Sequence, residues 1–331
     1  MIITIKELVR KTILITGGAG YLATNIIRLL KDIDCNIIRL DRQEAFFTPV
    51  SGRAIVRDVL GDIRERDIWD KILIGVDIVL YLAAQTSVYV ANENPHADLK
   101  INVLPMLNLL ETCRQKKLCP IIIFSGTTTE VGLPLHQPVD ETHSDNPITV
   151  YDIHKLMAES YLKYFIREGS VCGAILRLAN VYGPGPRSSS ADRGVLNMMV
   201  RRALNGDPLT IYGDGKFIRD YVYMEDVANA FIAAACHINK INGQHFIIGS
   251  GDGHTIADAV HLVAARVERK TVKRVQVTHV DPPTKLSPIE TRNFVADTKR
   301  FTEATDWRAS VSLEDGVDRT IDYYLLENKE M

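Results

Sequence analysis

Three adjacent threonines follow an apolar segment that is typical of a buried β-strand. The segment at 121–124 reads IIIF, and it continues as SGTTTE over residues 125–130. Residues at the carboxyl end of a parallel strand lie at the edge where α/β proteins bind their ligands, so these hydroxyls are candidates for substrate contacts. The alternative is a turn that uses residues of high β-propensity and binds nothing.

A tyrosine and a lysine four residues apart, Tyr151 and Lys155, begin a second segment that could do chemistry. Their spacing places both side chains on one face of a predicted helix. The lysine ammonium can stabilise the phenolate form of the tyrosine, which then serves as a general base at an alcohol or sugar hydroxyl. Because this spacing is common by chance, a pair of surface residues is the alternative.

A glycine-rich turn near the amino terminus has the pattern that binds a dinucleotide pyrophosphate. The sequence TILITGGAGYLA over residues 12–23 reads as a strand, a turn and the start of a helix, with GxxGxxA spacing that ends at Ala23. Glycines allow the tight turn and let backbone amides approach the phosphates at the positive end of the helix. Ala23 replaces a glycine whose role is close helix packing. The candidate cofactor-binding residues of this turn are Gly17, Gly20, Tyr21 and Leu22.

An acidic residue follows the second predicted strand, where dinucleotide-binding folds bind the adenosine ribose. Asp41 lies about 20 residues beyond the glycine turn and can accept hydrogen bonds from both ribose hydroxyls. Its charge would repel a 2′-phosphate, which favours NAD over NADP. Arg42 follows directly and can weaken this preference. A carboxylate that only caps the turn is the alternative.

Short apolar segments alternate with longer amphipathic ones in the first half of the chain, which indicates βα units. Right-handed crossovers turn this order into a doubly wound parallel sheet, so we expect an α/β fold of the Rossmann type. Predicted strands cover residues 12–16, 36–40, 54–56, 77–83, 121–124 and 174–178, and predicted helices lie near 21–33, 64–74, 96–117, 151–168, 224–238 and 256–267.

The local composition of the sequence changes near residue 181, where clusters of Gly and Pro begin to separate shorter elements. We expect residues 1–180 to form the Rossmann domain, with the chain returning to it near 217–249. Residues 181–331 are expected to form a smaller, mixed α/β lobe.

The composition excludes several functional classes. The 331 residues carry 39 Lys and Arg against 41 Asp and Glu, and a formal net charge of −2 gives no electrostatic reason to expect nucleic-acid binding. Five cysteines occur without CxxC spacing, which is typical of reduced thiols and predicts no metal site. No apolar run approaches the roughly 18 residues that span a bilayer. We therefore expect a cytoplasmic protein that binds neither membranes nor nucleic acids.

Together these motifs resemble the extended short-chain dehydrogenase/reductase family, and within it the NAD-dependent branch of nucleotide-sugar epimerases and dehydratases. Further matching stretches are GDIR at 61–64, LAAQTSV at 82–88, RLANVYGPG at 177–185, YGDGKFIRDYV at 212–222 and RNFVAD at 292–297. The resemblance runs from about residue 11 to about residue 325. It implies that NAD is the cofactor, that a nucleotide-diphosphate sugar is the substrate and that residues 181–331 bind this sugar nucleotide.

The resemblance also implies roles for residues elsewhere in the chain. Lys155 would hold the nicotinamide ribose as well as support Tyr151. Arg219 and Arg292 would bind the substrate diphosphate, since a guanidinium matches two phosphate oxygens at once, although either could be a surface ion-pair partner. Other implied contacts are Asp62 and Ile63 at the adenine, Ala83, Ala84 and Gln85 along the dinucleotide, and Asn180 near the substrate phosphates.

The resemblance identifies the active hydroxyl by its position after the fifth strand. The family's active Ser or Thr comes three residues after the last apolar residue, and this count from Phe124 selects Thr127. Counting back five from Gly132 also selects Thr127. However, the family's usual tyrosine before that glycine is missing. If one residue is deleted there, Thr128 becomes the active, substrate-binding hydroxyl and Glu130 takes the position of a glutamate found in sugar decarboxylases.

The preferred alignment favours a nucleotide-sugar 4-epimerase. Thr128 and Thr129 stand where 4,6-dehydratases carry an acid pair, so dehydration is disfavoured. In the epimerase, Tyr151 removes the C4 hydroxyl proton, a hydride passes to retained NAD, and the 4-keto sugar takes it back on its other face.

Two alternatives remain open. An NAD(P)H-dependent 4-reductase of NDP-4-keto-6-deoxysugars uses the same residues once, and a non-catalytic dinucleotide-binding protein is possible on the same fold. The resemblance further implies a homodimer that pairs the helices predicted at 96–117 and 151–168.

Overall fold

The computed structural model describes residues 5–42, 47–185 and 194–327. In chain order its strands are β1 (Thr12–Thr16), β2 (Asn36–Asp41), β3 (Ile55–Leu60), β4 (Ile78–Tyr81), β5 (Ile121–Thr127), β6 (Cys172–Leu178), β7 (Asn180–Tyr182), β8 (Leu209–Tyr212), β9 (Ile218–Tyr223), β10 (His245–Ile248), β11 (Gly253–Thr255) and β12 (Val277–Val280).

The helices flank these strands. They are α1 (Tyr21–Leu30), α2 (Arg66–Ile72), α3 (Val88–Glu93), α4 (Pro95–Asn102), α5 (Leu104–Lys116), α6 (Val150–Arg167), α7 (Val195–Asn205), α8 (Met224–Cys236), α9 (Ile238–Ile241), α10 (Ile256–Thr271), α11 (Lys299–Thr305) and α12 (Leu313–Glu327). Over the residues that the structure describes, none of these helices has the length and the apolar character needed to cross a membrane.

A parallel sheet forms the centre of the molecule. Within the described ranges it has seven strands in the order β10-β6-β5-β4-β1-β2-β3, and each neighbouring pair is parallel. This is the doubly wound α/β fold that the sequence predicts. The inner strands are continuous apolar runs because helices cover both faces of the sheet.

Alternate residues of each strand enter two separate cores, because successive side chains point to opposite faces. Ile13 and Ile15 of β1 pack with Phe231 and other residues of one core, which α1 and α8 cover. Leu14 packs on the other face with Trp69 of α2 and further residues of α5 and α6. Both faces of the central strands are therefore sealed, and the strand ends are left for binding.

Two local predictions differ from the structure. The helix predicted over 96–117 is divided into α4 and α5 at Val103, and Pro105 lies in the first turn of α5, where its missing N–H is not needed. The segment 245–248 was not among the predicted strands, although it forms the edge strand β10 beside β6.

The remaining strands lie in two small sheets. β7, β9 and β11 form one, and β8 pairs with β12 in the other. Their core includes Leu209, Val263 and Ile321, which come from β8, α10 and α12. The segment around 296 returns to the loop before α6 through a bridge between Val139 and Ala296.

A buried cluster of charges lies between β5, β6, β10 and α6. Arg177 is 1% exposed and donates to both carboxylate oxygens of Glu159 at 2.7 and 2.9 Å and to those of Asp145 at 2.5 and 3.0 Å. Its Nε also lies 3.0 Å from the Glu130 carboxylate. His245 borders this cluster and accepts a hydrogen bond at Nδ1 from Lys163 Nζ at 2.9 Å.

We expect the stability of the protein to fall between pH 7 and pH 5 because of His245. Burial and the charge of Arg177 lower the pKa of His245 to about 4, so the imidazole stays neutral in the folded state while it gains a proton near pH 6.5 when unfolded. The folded state is therefore favoured above pH 6.5, and this advantage is lost as the pH falls towards 4. The loss between pH 7 and pH 5 is about 2 kcal/mol.

Urea unfolding at the two pH values measures this effect. The variant His245→Gln should show a pH dependence smaller by that amount. An equal pH dependence in the wild type and the variant would contradict the assignment.

Candidate active site

The glycine turn after β1 has no room for side chains. Gly17 has φ +66°, and a Cβ there would lie 3.1 Å from Ala83 Cα. A Cβ on Gly18 would lie only 2.6 Å from Arg39 Cβ, and one on Gly20 would lie 2.9 Å from the Gly17 carbonyl oxygen. Gly18 was not singled out in the sequence, because its role depends on β2 and not on the GxxGxxA spacing.

Asp41 lies directly beside this turn. Its Oδ2 accepts a hydrogen bond from the Ala19 amide at 3.1 Å, and its Oδ1 accepts one from the Arg42 amide at 2.7 Å. The side chain is only partly buried. A narrow glycine turn with a carboxylate at its side fits the pyrophosphate and ribose of a dinucleotide.

Tyr21, the first residue of α1, contacts one residue that follows β7 and one that lies on α7. Tyr21 Oη donates to the Gly183 carbonyl oxygen at 2.8 Å and accepts from Asn197 Nδ2 at 3.2 Å. Burial raises the pKa of Tyr21 above its usual value. Leu22 packs at the border of the core below α1. These side chains join the two halves of the site, while the α1 amides face the glycine turn.

The residues expected near the adenine lie after β3. Asp62 is held by Arg64 at 2.6 Å, and although burial opposes its charge, the hydrogen bonds and charge of Arg64 lower the pKa of Asp62. Ile63 is buried, and its carbonyl oxygen accepts a hydrogen bond from Trp69 Nε1 at 2.8 Å. The backbone of this segment is thus fixed beside the end of β2, since β2 and β3 are paired.

The segment after β4, which includes Ala84, is held by side chains from two directions. Thr16 Oγ1 accepts a hydrogen bond from the Ala83 amide at 3.1 Å. Gln85 Nε2 donates to Asp98 Oδ1 at 2.7 Å, and the other oxygen of Asp98 lies 2.6 Å from His154 Nδ1.

Lys155 fixes the start of α6 against the end of β5. Its Nζ donates to the Ser125 carbonyl oxygen at 2.5 Å and lies 4.1 Å from the centre of the Phe124 ring. Tyr151 lies one turn earlier on the same buried face of the helix, and both side chains are at least nine-tenths buried. The structure therefore brings the Tyr–Lys pair to the segment that carries the threonines.

The three threonines occupy different environments. Thr127 and Thr129 are partly exposed, and their hydroxyl oxygens are 2.9 Å apart. Thr128 is 2% exposed and begins a 3₁₀ turn, Thr128–Val131. Glu130 closes this turn by accepting the Thr127 amide hydrogen at 3.1 Å.

The Glu130 carboxylate lies in the core and not at the site edge. It is fully buried beside Arg177, and burial together with the nearby Glu159 raises the pKa of Glu130 well above its usual value. In the alignment that makes Thr128 the active hydroxyl, Glu130 takes the position of a glutamate found in sugar decarboxylases. Its carboxylate lies in the core here, whereas Thr127 is partly exposed, and the choice of Thr127 stays a prediction.

Two arginines lie together at the side of the site formed by β9 and a 3₁₀ turn, Pro288–Thr291. Arg219 donates to the carbonyl oxygens of Ile218, Glu290 and Arg292, so its described hydrogen bonds hold this turn. Burial and the charge of Arg219 lower the pKa of Arg292 to about 10. Arg292 Nε has no hydrogen-bond partner among the described residues. Asn180 lies on β7 beside Tyr221 of β9.

Sequence reasoning missed one polar residue at the centre of this arrangement. Asp152 is fully buried and accepts hydrogen bonds from Thr129 Oγ1 at 2.5 Å and from Thr149 Oγ1 at 2.6 Å. Its position next to Tyr151 could have indicated a role in the site. Its hydrogen bond with Thr129, however, depends on the contact between α6 and the end of β5.

The fold and the glycine turn define a dinucleotide-binding α/β protein, and comparisons with known proteins specify its class. The model of the "NAD dependent epimerase/dehydratase family" matches residues 13–249. CDP-paratose 2-epimerase from Salmonella typhi is 30% identical over 339 aligned positions, which cover 94% of this chain and 98% of that protein.

Solved structures agree over nearly the whole chain. UDP-glucose 4-epimerase from Thermotoga maritima, solved with UDP-glucose, has a TM-score of 0.85 and 29% identity, and the match covers 96% of this chain and 99% of that one. An epimerase from Methanothermobacter thermautotrophicus has a TM-score of 0.88 and 26% identity, covering 100% and 96% of the two chains. The chain belongs to the NAD dependent epimerase/dehydratase family and is an NAD-dependent enzyme.

We expect Asp41→Asn to weaken the preference for NAD over NADP. The neutral amide no longer repels a 2′-phosphate, so the ratio of the two affinities should fall by about tenfold or more, or about 1.4 kcal/mol. Calorimetric titration with both cofactors measures the ratio. Asp34→Asn, which removes an exposed carboxylate before the other end of β2, is the control. An unchanged ratio in Asp41→Asn would contradict the role of Asp41.

Proposed function

We propose that this protein is a nucleotide-sugar 4-epimerase. The observation that carries the proposal is the contact between α6 and the end of β5. The Lys155 to Ser125 hydrogen bond and the Thr129 to Asp152 hydrogen bond hold this contact on two sides of Tyr151. A tyrosine, a lysine and a partly exposed threonine therefore meet at the carboxyl edge of the sheet, beside a dinucleotide-binding turn.

Each of these side chains has a distinct task in the proposed reaction. Tyr151 takes the proton of the substrate's C4 hydroxyl and later returns it. Lys155 supports the negative charge of the phenolate, and Thr127 orients the reacting oxygen. NAD, when bound, would supply the acceptor and then the donor of the C4 hydride. The sugar must turn in the pocket before the hydride returns, so that the configuration at C4 inverts.

The cofactor is proposed to bind along the strand ends. Its pyrophosphate would meet the amides of the glycine turn, its adenosine ribose would meet Asp41, and its nicotinamide ribose would meet Lys155. The remaining proposed contacts are Gly17, Gly20, Tyr21, Leu22, Arg42, Asp62, Ile63, Ala83, Ala84 and Gln85.

The sugar nucleotide is proposed to bind between the sheet edge and residues 181–331. Arg292 is suited to the diphosphate, because it is buried, has an unpaired Nε and lies beside a second cation. Arg219 supports it by holding the Pro288–Thr291 turn, and Asn180 lies on the neighbouring strand. UDP-glucose is the first substrate to test, since the similar Thermotoga maritima enzyme was solved with it.

The similarity to a 2-epimerase favours a second candidate, in which the same residues act at C2 of the sugar. The absorbance spectrum of the purified protein, together with identification of the cofactor released from it, shows whether the protein retains NAD. Bound NAD together with UDP-glucose that is inverted at C4 supports the 4-epimerase. Inversion at C2 only would support the 2-epimerase instead. A protein without NAD that oxidises added NADH or NADPH with a 4-keto sugar would instead be a reductase.

We expect Tyr151→Phe to lower kcat by about 10²-fold or more, because general base catalysis is lost. The binding of UDP-glucose should change little, since the ring remains in place. A coupled assay for the product and calorimetric titration measure the two quantities. Tyr323→Phe, which makes the same change at a partly exposed tyrosine of α12, is the control. A Tyr151→Phe variant as active as this control would contradict the proposed base.

We also propose a homodimer that pairs α5 and α6 of two subunits. Ile153, Met157 and Tyr164 lie on one side of α6 and are 37 to 45% exposed, and Leu104 of α5 is 41% exposed. Apolar side chains clustered on paired helices are typical of a subunit interface.

We expect Met157→Glu to convert the dimer to a monomer, because the charge would have to be buried without a partner. Sedimentation analysis at one protein concentration measures the state. Val272→Asn, which makes an exposed apolar position elsewhere polar, is the control and should stay dimeric. A monomeric wild type, or a dimeric Met157→Glu variant, would contradict this interface.

A further inference from the structure

A continuous chain of hydrogen bonds leads from Thr127 into the protein. The Thr127 and Thr129 hydroxyl oxygens are 2.9 Å apart, and Thr129 Oγ1 donates to Asp152 Oδ1 at 2.5 Å. The other carboxylate oxygen of Asp152 accepts from Thr149 Oγ1 at 2.6 Å. The chain thus begins at the partly exposed Thr127 and ends at a carboxylate that is fully buried.

The chemistry of the three groups fixes the direction of this chain. An ionised carboxylate only accepts hydrogen bonds, so the proton of Thr129 points to Asp152. Thr129 must then accept the proton of Thr127. Thr127 also accepts the Thr129 amide hydrogen at 3.3 Å, which leaves one lone pair of its oxygen for a ligand. Towards the substrate, Thr127 is therefore an acceptor that fits the hydrogen of an alcohol.

We propose that Thr129 and Asp152 extend Thr127 into a proton relay for the substrate alcohol, as a second path beside Tyr151. The proposal rests on the 4-epimerase function given above. As the C4 hydride leaves, the hydroxyl proton moves to Thr127, the proton of Thr127 moves to Thr129, and the proton of Thr129 moves to Asp152. The C4–O single bond becomes a carbonyl, Asp152 becomes neutral, and the three protons return when the hydride does.

When every hydrogen bond of this chain is reversed, the chain suits the ketone, just as the first direction suits the alcohol. A neutral Asp152 donates to Thr129, which donates to Thr127, and Thr127 then donates to the carbonyl oxygen. One shift of protons thus changes Thr127 from an acceptor for the alcohol into a donor for the ketone. Interactions that follow the charge of the reacting atom in this way favour the transition state.

The surroundings of Asp152 allow both of its charge states. Burial raises the pKa of Asp152, while the hydrogen bonds from Thr129 and Thr149 and the charge of Arg292 act in the opposite direction. Neither Thr129 nor Asp152 touches the substrate in this scheme, so both are positioning residues that act through Thr127.

A pair of substitutions at residue 129 tests the relay. Because Tyr151 takes the same proton by the first path, each variant is made in the Tyr151→Phe background, where only the relay can take it. There Thr129→Val, which keeps the shape of the side chain but removes the hydroxyl, should lower the remaining kcat by about tenfold or more while KM for UDP-glucose changes less than about threefold. Thr129→Ser keeps the hydroxyl and should recover most of the lost kcat. Asp152→Asn should lower kcat in the same way as Thr129→Val.

The solvent deuterium isotope effect on kcat adds a readout that a structural role would not move. It should be larger in Tyr151→Phe, and in Tyr151→Phe with Thr129→Ser, than in Tyr151→Phe with Thr129→Val, because fewer protons move in the last variant. Bound NAD and the melting temperature are measured for each variant, so that a folding defect is recognised. If the variant with Thr129→Val does not fold, the dependence of the Tyr151→Phe rate on the deuterium content of the solvent decides, since a relay gives a curved dependence and a single proton gives a linear one.

The outcomes separate the relay from the proposed function. An active wild type, with equal kcat and equal isotope effects for Thr129→Val and Thr129→Ser in the Tyr151→Phe background, overturns the relay and leaves the 4-epimerase in place. A linear dependence on solvent deuterium does the same. A wild type that retains NAD but converts no nucleotide sugar overturns the proposed function, and the relay falls with it.

Discussion

One buried cation, Arg177, holds together the segments that carry the proposed active site. Its guanidinium contacts Glu130 in the turn after β5, Glu159 on α6 and Asp145 in the loop before α6. Glu130 in turn accepts the amide hydrogen of Thr127. The strand that carries the active threonine and the helix that carries the tyrosine and lysine are thus fixed to the same charge. Without Arg177, the buried Glu130 would lack a cation and the buried Glu159 would keep only Lys163, a situation that is strongly destabilising.

Tyrosine, lysine and threonine side chains have ordinary reactivity, so the proposed catalysis depends on how precisely Arg177 fixes their positions. A general base acts only within hydrogen-bond reach of its proton, and errors of about 1 Å in position are costly. Lys155 adds a second attachment by donating to the Ser125 carbonyl oxygen. In the proposed reaction, the contact between β5 and α6 would present Tyr151 and Thr127 to one substrate oxygen. In the proposed complex, the sugar end of the substrate would meet this edge and the diphosphate end would meet Arg292.

The sequence was sufficient for the fold, and it also predicted the residues whose proposed roles depend on local spacing. The apolar runs predict the first six strands of the sheet. The glycine turn and the Tyr–Lys pair are short patterns whose local spacing fixes their geometry. The edge strand β10 was missed because it has only four residues, although it lies within the stretch 217–249 that was expected to return to the Rossmann domain. Asp152 and Arg177 could not be found in this way. Their partners are 18 to 47 residues away or on other elements, and only tertiary packing brings them together.

The most direct test of the central claim is to follow deuterium at C4 of UDP-glucose through the reaction, with purified protein and no added cofactor. The account predicts a 4-epimerised product that keeps its deuterium at C4, because the hydride leaves and returns within one active site. No product, or a 4-epimerised product that has lost its deuterium from C4, would contradict a 4-epimerase that retains its NAD.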